Sequence, residues 1–248
     1  MSRVCAASNQ DDNLLTKLDP ALIRDLPPFS GMTLDQMTTL LAKATPLRAD
    51  KGSHIFDMGA EARSFSLLLD GYIRVVRTTP NGEQVIARYI ASGELFGIAE
   101  ALGMKQYPAS AVAAVDCVAL SWPSDIWHAT AAAYPAFATN TYKTIGGRLQ
   151  DAQDRLVEMA TERVEQRVAS AILNLVERSG RQTDDGILID FPISRQDISE
   201  MTGTTLHTVS RLMSGWENDG LVKSGRQKIT VIGSEGLSLI ANKEGSSQ

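Results

Sequence analysis

No run of eighteen apolar residues occurs in the 248-residue chain, which excludes a helix of bilayer-spanning length. The opening stretch "MSRVCAASNQDDNLL" has none of the apolar core of a secretory leader, so a cytoplasmic location is expected. Cysteine is nearly absent. Cys5 and Cys117 are too few for a disulfide framework or for an all-cysteine iron–sulfur cluster. Cys117 lies in the apolar run "AAVDCVALSW", where a small buried hydrophobe is expected. There is no basic excess either. The formal net charge of −5 argues against indiscriminate nucleic-acid binding, and residues 161–248 taken alone are not net basic. Any DNA-binding role must therefore rest on a motif and a local basic footprint.

What is present is ordinary globular material, 43% hydrophobic and 21% charged, in a chain longer than one domain usually needs. Residues 1–20 read as a flexible arm. "TLDQ", with Thr33 and Gln36 at capping-box spacing, opens a short helix. From Pro46 to Trp122, short apolar runs punctuated by glycine, with "TPNGEQ" as a hairpin turn, suggest a β-sandwich, jelly roll or barrel. Residues 21–134 are expected to form that domain.

After Pro135 the chain runs to residue 160 without another proline, weakened as a helix only by Gly146 and Gly147. Ala138, Tyr142, Ile145, Leu149, Ala152, Leu156 and Met159 repeat at alternating four- and three-residue steps, a heptad seam. The seam could pack on the chain's own β-domain. Parallel pairing with a second copy is the better explanation, since a helix linking two domains has little else to cover its stripe. Residues 135–160 are thus read as a dimerisation helix.

Residues 161–248 carry the motif. "TERVEQRVASAILNLVERSG" is an amphipathic helix stopped at Ser-Gly, and "GILIDFPIS" is a strand leading into a proline. Ser194 and Asp197 make a capping box for a following helix, Ser199 is small where two helices must approach, and Gly203 sits at a tight turn. Thr205 caps a second helix whose apolar face is Leu206, Val209, Leu212, Met213 and Trp216. Its opposite face gathers Thr205, His207, Thr208, Ser210 and Arg211. A helix entering the major groove needs that layout, because its first turns meet base edges while its positive end faces phosphate. "LVKSGRQKITVI" reads as a two-stranded wing, with Lys223, Arg226 and Lys228 near phosphate. The block is a winged helix-turn-helix, so the expected class is α+β: β-roll (jelly-roll) sensor domain, long helix, winged helix-turn-helix.

In this order the three parts resemble the CRP/FNR superfamily of bacterial transcription regulators. "ISRQDISEMTGTTLHTVSR", "YPASAV" and "IGGRLQDAQDRLVEM" resemble its NNR/DNR branch. That resemblance implies a homodimer responding to nitric oxide and controlling denitrification genes, with RNA polymerase as a further partner. Family members of the FNR type read their half-site with Glu-x-x-Ser-Arg. Ser210 and Arg211 match that pattern and His207 replaces the glutamate, so the expected operator is an FNR-like palindrome, relaxed or altered at one base pair.

The family's cyclic-nucleotide cassette pairs Gly-Glu with Arg-Ser/Thr. Gly93 and Glu94 are kept, but Ala109 precedes Ser110 where the arginine would stand. A phosphate there would lose a bidentate, charge-assisted partner, so cAMP binding is not expected. The branch resemblance implies haem. With His207 committed to the recognition helix, His54 and His128 are the histidines left to ligate it, and without C-x-x-C-H it would be non-covalent. A CRP-like regulator sensing another small molecule or a redox signal is the alternative. A structural DNA-binding protein without effector fits less well with an intact β-domain. Enzymatic activity is not expected, because Glu94 has no nucleophile–base pair or metal-spaced cluster beside it.

Overall fold

The computed structural model describes residues 19–242, so Cys5 and nearly all of the expected arm lie outside the described residues. The chain forms two compact units. One comprises residues up to 75 and 89–147, the other residues 76–88 and those from 148 onward.

In the first unit, helix α1 (Leu34–Leu41) starts at the expected capping box: Gln36 N–H donates to Thr33 Oγ1 at 3.3 Å, and Thr33 N–H to Gln36 Oε1 at 3.0 Å. Eight strands follow, of which β4 and β5 run on into residues 76–88 of the second unit: β1 (Thr45–Ala49), β2 (His54–Phe56), β3 (Ser64–Asp70), β4 (Tyr72–Thr78), β5 (Gln84–Ala91), β6 (Leu95–Phe96), β7 (Ser110–Ala113) and β8 (Cys117–Pro123). They make two four-stranded sheets, ordered β1-β8-β3-β6 and β2-β7-β4-β5. The "TPNGEQ" turn closes the β4–β5 hairpin. Thr79 N–H donates to Glu83 O at 2.8 Å, and Gly82 takes φ +84°, a left-handed conformation that costs glycine nothing.

Aromatic residues are only 6% of the chain, yet Trp122 stacks on Phe65 at 5.5 Å and Trp127 meets Phe65 edge-on at 5.4 Å. Each such pair adds about 0.5–1.5 kcal/mol beyond area burial. The Trp122 indole N–H donates to Leu40 O at 2.8 Å, tying α1 to the same core. Cys117 is buried as expected, and burial pushes its thiol pKa up, so it is not a reactive thiolate.

Helix α2 (Trp127–Ala133) leads into the long helix α3 (Pro135–Thr161), which runs unbroken through Gly146 and Gly147. Its first turns anchor it: Phe137 is fully buried, and Ile145 packs partly on the aromatic core.

The second unit contains α4 (Val164–Ser179), β9 (Gly180–Thr183), β10 (Gly186–Ile189), α5 (Arg195–Thr202), α6 (Leu206–Asn218), β11 (Val222–Gly225), β12 (Lys228–Val231) and α7 (Ser234–Ala241). Val168, Ala169 and Ile172 of α4 are wholly buried, and α4 packs on α5 and α7. The wing hairpin is larger than the sequence suggests. Strands β11 and β12 belong to a four-stranded antiparallel sheet ordered β11-β12-β10-β9, because β10 pairs with β12 and β9 folds back on β10. The tip of the β4–β5 hairpin also lies in this unit, where the Arg155 guanidinium of α3 donates to Ala87 O.

Candidate nucleic-acid interface

Helix α5 begins where Ser194 and Asp197 cap each other: Ser194 N–H donates to Asp197 Oδ2 at 2.7 Å and Asp197 N–H to Ser194 Oγ at 3.1 Å. It ends at Gly203, φ +61°, a left-handed stop that side-chain-bearing residues resist. Two residues later Thr205 caps α6, accepting from Thr208 N–H at 3.1 Å. Thr208 Oγ1 lies 2.9 Å from Thr205 Oγ1, so the two hydroxyls share a hydrogen bond at the helix start. Ile198 and Val209 are completely buried, and Ser199 is buried too, its hydroxyl donating to Gln196 O at 2.7 Å.

Val209, Met213 and Trp216 form the buried stripe of α6. Leu206, the first residue of the helix, does not join them and is 45% exposed. Thr205, His207 and Arg211 are exposed, while Thr208 and Ser210 are half-buried. A polar, partly cationic surface thus sits at the positive end of a 13-residue helix, where anions are favoured.

Beside it stands the β11–β12 hairpin. Arg226 and Lys228 are exposed at its tip, and Gln227 in the turn takes φ +58°. Lys223 is also exposed, but its ammonium contacts Asp185 Oδ2 at 2.7 Å and holds that carboxyl below its usual pKa. No local pattern singles out Asp185, which comes to Lys223 only because β10 and β12 pair. The same holds for a half-buried cluster of Arg195, Glu217 and Ser224. Glu217 accepts from Ser224 N–H at 3.0 Å and from the Ser224 hydroxyl, while Arg195 Nη2 reaches Glu217 Oε2 at 3.2 Å and Ser224 Oγ at 2.8 Å.

In the first unit the candidate effector residues meet partners of their own. Ser110 Oγ accepts from Met58 N–H at 2.9 Å, and Ala109 before it is buried. Glu94 Oε1 accepts from Ala91 N–H at 3.2 Å. His54 Nδ1 lies 2.5 Å from Asp57 Oδ1, and His128 Nε2 lies 3.1 Å from Glu100 Oε1. The side chains of His54 and His128 are 51% and 75% exposed, so neither points into an apolar pocket of the kind that holds haem. They do not fit as haem ligands in this conformation. Among the described residues no group of three or more His, Cys, Asp or Glu is arranged to hold a metal ion.

Residues 46–134 match the cyclic nucleotide-binding domain, and residues 166–240 match the Crp-like helix-turn-helix domain. The fumarate and nitrate reduction regulatory protein of Escherichia coli is 24% identical over 84% of this chain and 82% of its own length. The chain belongs to the CRP/FNR family of transcription regulators. Solved structures share its fold. FixK2 from Bradyrhizobium japonicum aligns with a TM-score of 0.71 at 21% identity, over 83% of this chain and 99% of that one. The c-di-GMP responsive regulator CLP of Xanthomonas campestris gives 0.71 at 15% identity, over 81% and 100%. The expected α+β class, with jelly-roll domain and C-terminal helix-turn-helix, is thereby established, and the family is one of regulators, not enzymes. Among the described residues, no helix of this CRP/FNR regulator is long and apolar enough to cross a membrane.

Proposed function

We propose that this CRP/FNR regulator binds DNA as a homodimer in the cytoplasm, reading an FNR-like palindrome through α6. The observation that carries the reading is the surface of α6 itself. His207 and Arg211 are exposed on the capped, positive end of the helix, with Thr208 and Ser210 half-exposed between them. Arg211 donates bidentately to guanine O6 and N7, and Ser210 and Thr208 lie against phosphate or a thymine methyl. His207 reaches a base edge less stringently than a glutamate would. Thr205 adds its backbone to the phosphate contacts, and Lys223, Arg226 and Lys228 meet the flanking phosphates from the wing.

The dimer is held by the exposed part of the α3 seam. Tyr142, Leu149, Leu156 and Met159 are 52%, 60%, 69% and 43% exposed, a stripe of large apolar side chains with Ala152 in line. Ala138 and Ile145, the seam's other members, are instead taken up by the core of the first unit, so the pairing surface starts further along the helix than the heptads alone indicate. A two-fold dimer sets its half-sites about one helical turn apart, roughly 10 bp centre to centre. Inserting about 5 bp turns one half-site to the opposite face of the duplex. Specific binding should then collapse to the nonspecific level; undiminished binding would refute the dimeric reading.

The signal is nitric oxide and the controlled genes are those of denitrification, as the "YPASAV" and "IGGRLQDAQDRLVEM" resemblance implies, with RNA polymerase as the partner at the promoter. A second reading is supported by the fate of the cassette. With Ala109 in the cation's place and Ser110 engaged by Met58, the β-roll is free to serve a different small molecule or a redox signal. An absorption spectrum of protein purified with haem supplied, before and after nitric oxide, separates the two. A Soret band that shifts with the gas supports haem-based sensing; no bound chromophore supports the second reading.

A further inference from the structure

Arg195 and Glu217 both break a local rule. Arg195 is the first residue of α5, so its guanidinium lies at the helix's positive end. Glu217 is in the last turn of α6, at the negative end, and that turn carries no basic residue of its own. Each placement opposes its own helix dipole. Charges set against their local preference point to a tertiary role, and here the two charges meet each other and a third element.

That element is the wing. Strand β11 is the edge of its sheet, and Ser224 pairs with Ile229 one step before the Gly225–Lys228 end of the hairpin. The Ser224 N–H is an unsatisfied donor unless something meets it from outside, and Glu217 Oε1 does so at 3.0 Å. The Ser224 hydroxyl donates to the same carboxylate and accepts from Arg195 Nη2 at 2.8 Å. Arg195 closes the ring on Glu217 Oε1 and Oε2 at 3.3 and 3.2 Å. One half-buried group of three side chains thus joins the start of α5, the end of α6 and the wing strand.

We infer that Arg195, Glu217 and Ser224 form a clasp that positions the wing for phosphate contact while α6 lies in the groove. The inference rests on the DNA-binding reading above. Arg226 stands in the two-residue turn and Lys228 opens β12, two and four residues beyond Ser224. A wing held by this clasp keeps both cations at a fixed height beside α6, and a wing released from it samples positions out of phosphate reach. The three are positioning residues: they act through the wing cations and contact no base.

The test is the salt dependence of binding by the full chain to a palindromic FNR-like duplex, beside a copy with the guanine pair changed. Ser224→Ala and Glu217→Gln should each weaken binding about three- to tenfold at moderate salt. Each should also flatten the log–log salt slope by about one for every phosphate the wing no longer reaches, with the ratio between the two duplexes unchanged. Ser224→Thr, which keeps the hydroxyl, should restore affinity and slope. In an Arg226→Ala/Lys228→Ala background, Ser224→Ala should have almost no further effect, because its route to the DNA is already gone. An affinity loss with unchanged slope, or an equal loss in the background lacking the wing cations, would reduce the cluster to a general stabiliser and overturn the inference. Unchanged binding in both variants would overturn it too. A wild-type chain that fails to distinguish the two duplexes would instead refute the DNA-binding reading and the clasp with it.

Discussion

The two units treat their polar side chains differently. In the DNA-reading unit, His207, Arg211, Arg226 and Lys228 are exposed beyond anything the fold asks of them. In the β-roll unit, each candidate effector residue has a task within the fold: Ser110 on Met58, Glu94 on Ala91, His54 on Asp57 and His128 on Glu100. A surface that recognises a rigid, repetitive polyanion can be built in advance on a capped helix, since its partner brings its own shape. A small-molecule site must be enclosed, and here the polar groups that would line it are already satisfied by neighbours. An effector held by these four residues would have to displace those partners.

The largest effect is expected at α3, whose exposed stripe is the proposed dimer interface. Leu149→Asp or Leu156→Asp would bury a carboxylate against its symmetry mate, at a cost of several kcal/mol. Sedimentation at low micromolar concentration should find monomers; dimers would mean that the exposed stripe is not the interface. A smaller effect is expected on the wing. Lys228→Ala should weaken binding to all sequences alike and reduce the salt slope by about one, seen in titrations across a salt series. A loss confined to one sequence would make Lys228 a base reader.

Smaller again is the acid response. Glu217 is held below the ordinary glutamate pKa, first by the Ser224 hydroxyl, then by the Ser224 N–H and by Arg195. A depressed carboxyl stabilises the fold above its unfolded-state value, and that contribution disappears as pH falls through the depressed one. Between roughly pH 5 and pH 3 the wild type should lose slightly more stability than Glu217→Gln, in parallel thermal melts. Parallel losses would show that the carboxylate is not stabilised in the folded state. On the β-roll side the expected effect is none: calorimetric titration with cAMP or cGMP should give no saturable heat at micromolar ligand. Tight binding would mean that Ala109 and Ser110 do not occupy the phosphate position.

The same division explains what could be read from sequence. The caps at Thr33, Ser194 and Thr205 and the stop at Gly203 were legible, because each is settled within about one turn of chain. The heptad seam was legible as a stripe, but not what covers it. Nothing in the spacing of Ile145 tells that it turns toward the aromatic core while Leu149 stays bare. Leu206 has the period of the buried face and lies beyond its end. Strand β9, "GRQT", has no apolar alternation and exists only through its pairing with β10. The clasp joins residues 22 and 29 positions apart, and Ser110 meets Met58 across 52, distances at which local pattern is silent. Its one trace was a pair of charges at the wrong helix ends.

Arg211 is the residue on which the proposed base reading by α6 depends most directly. Wild type and Arg211→Ala should be titrated with a palindromic FNR-like duplex and with a copy in which the guanine pair is changed. Arg211→Ala should lose about 1–3 kcal/mol per half-site on the palindrome and far less on the altered duplex, so that the preference between them shrinks. An equal loss on both would make Arg211 a phosphate contact and contradict the assignment of base reading to this face of the helix.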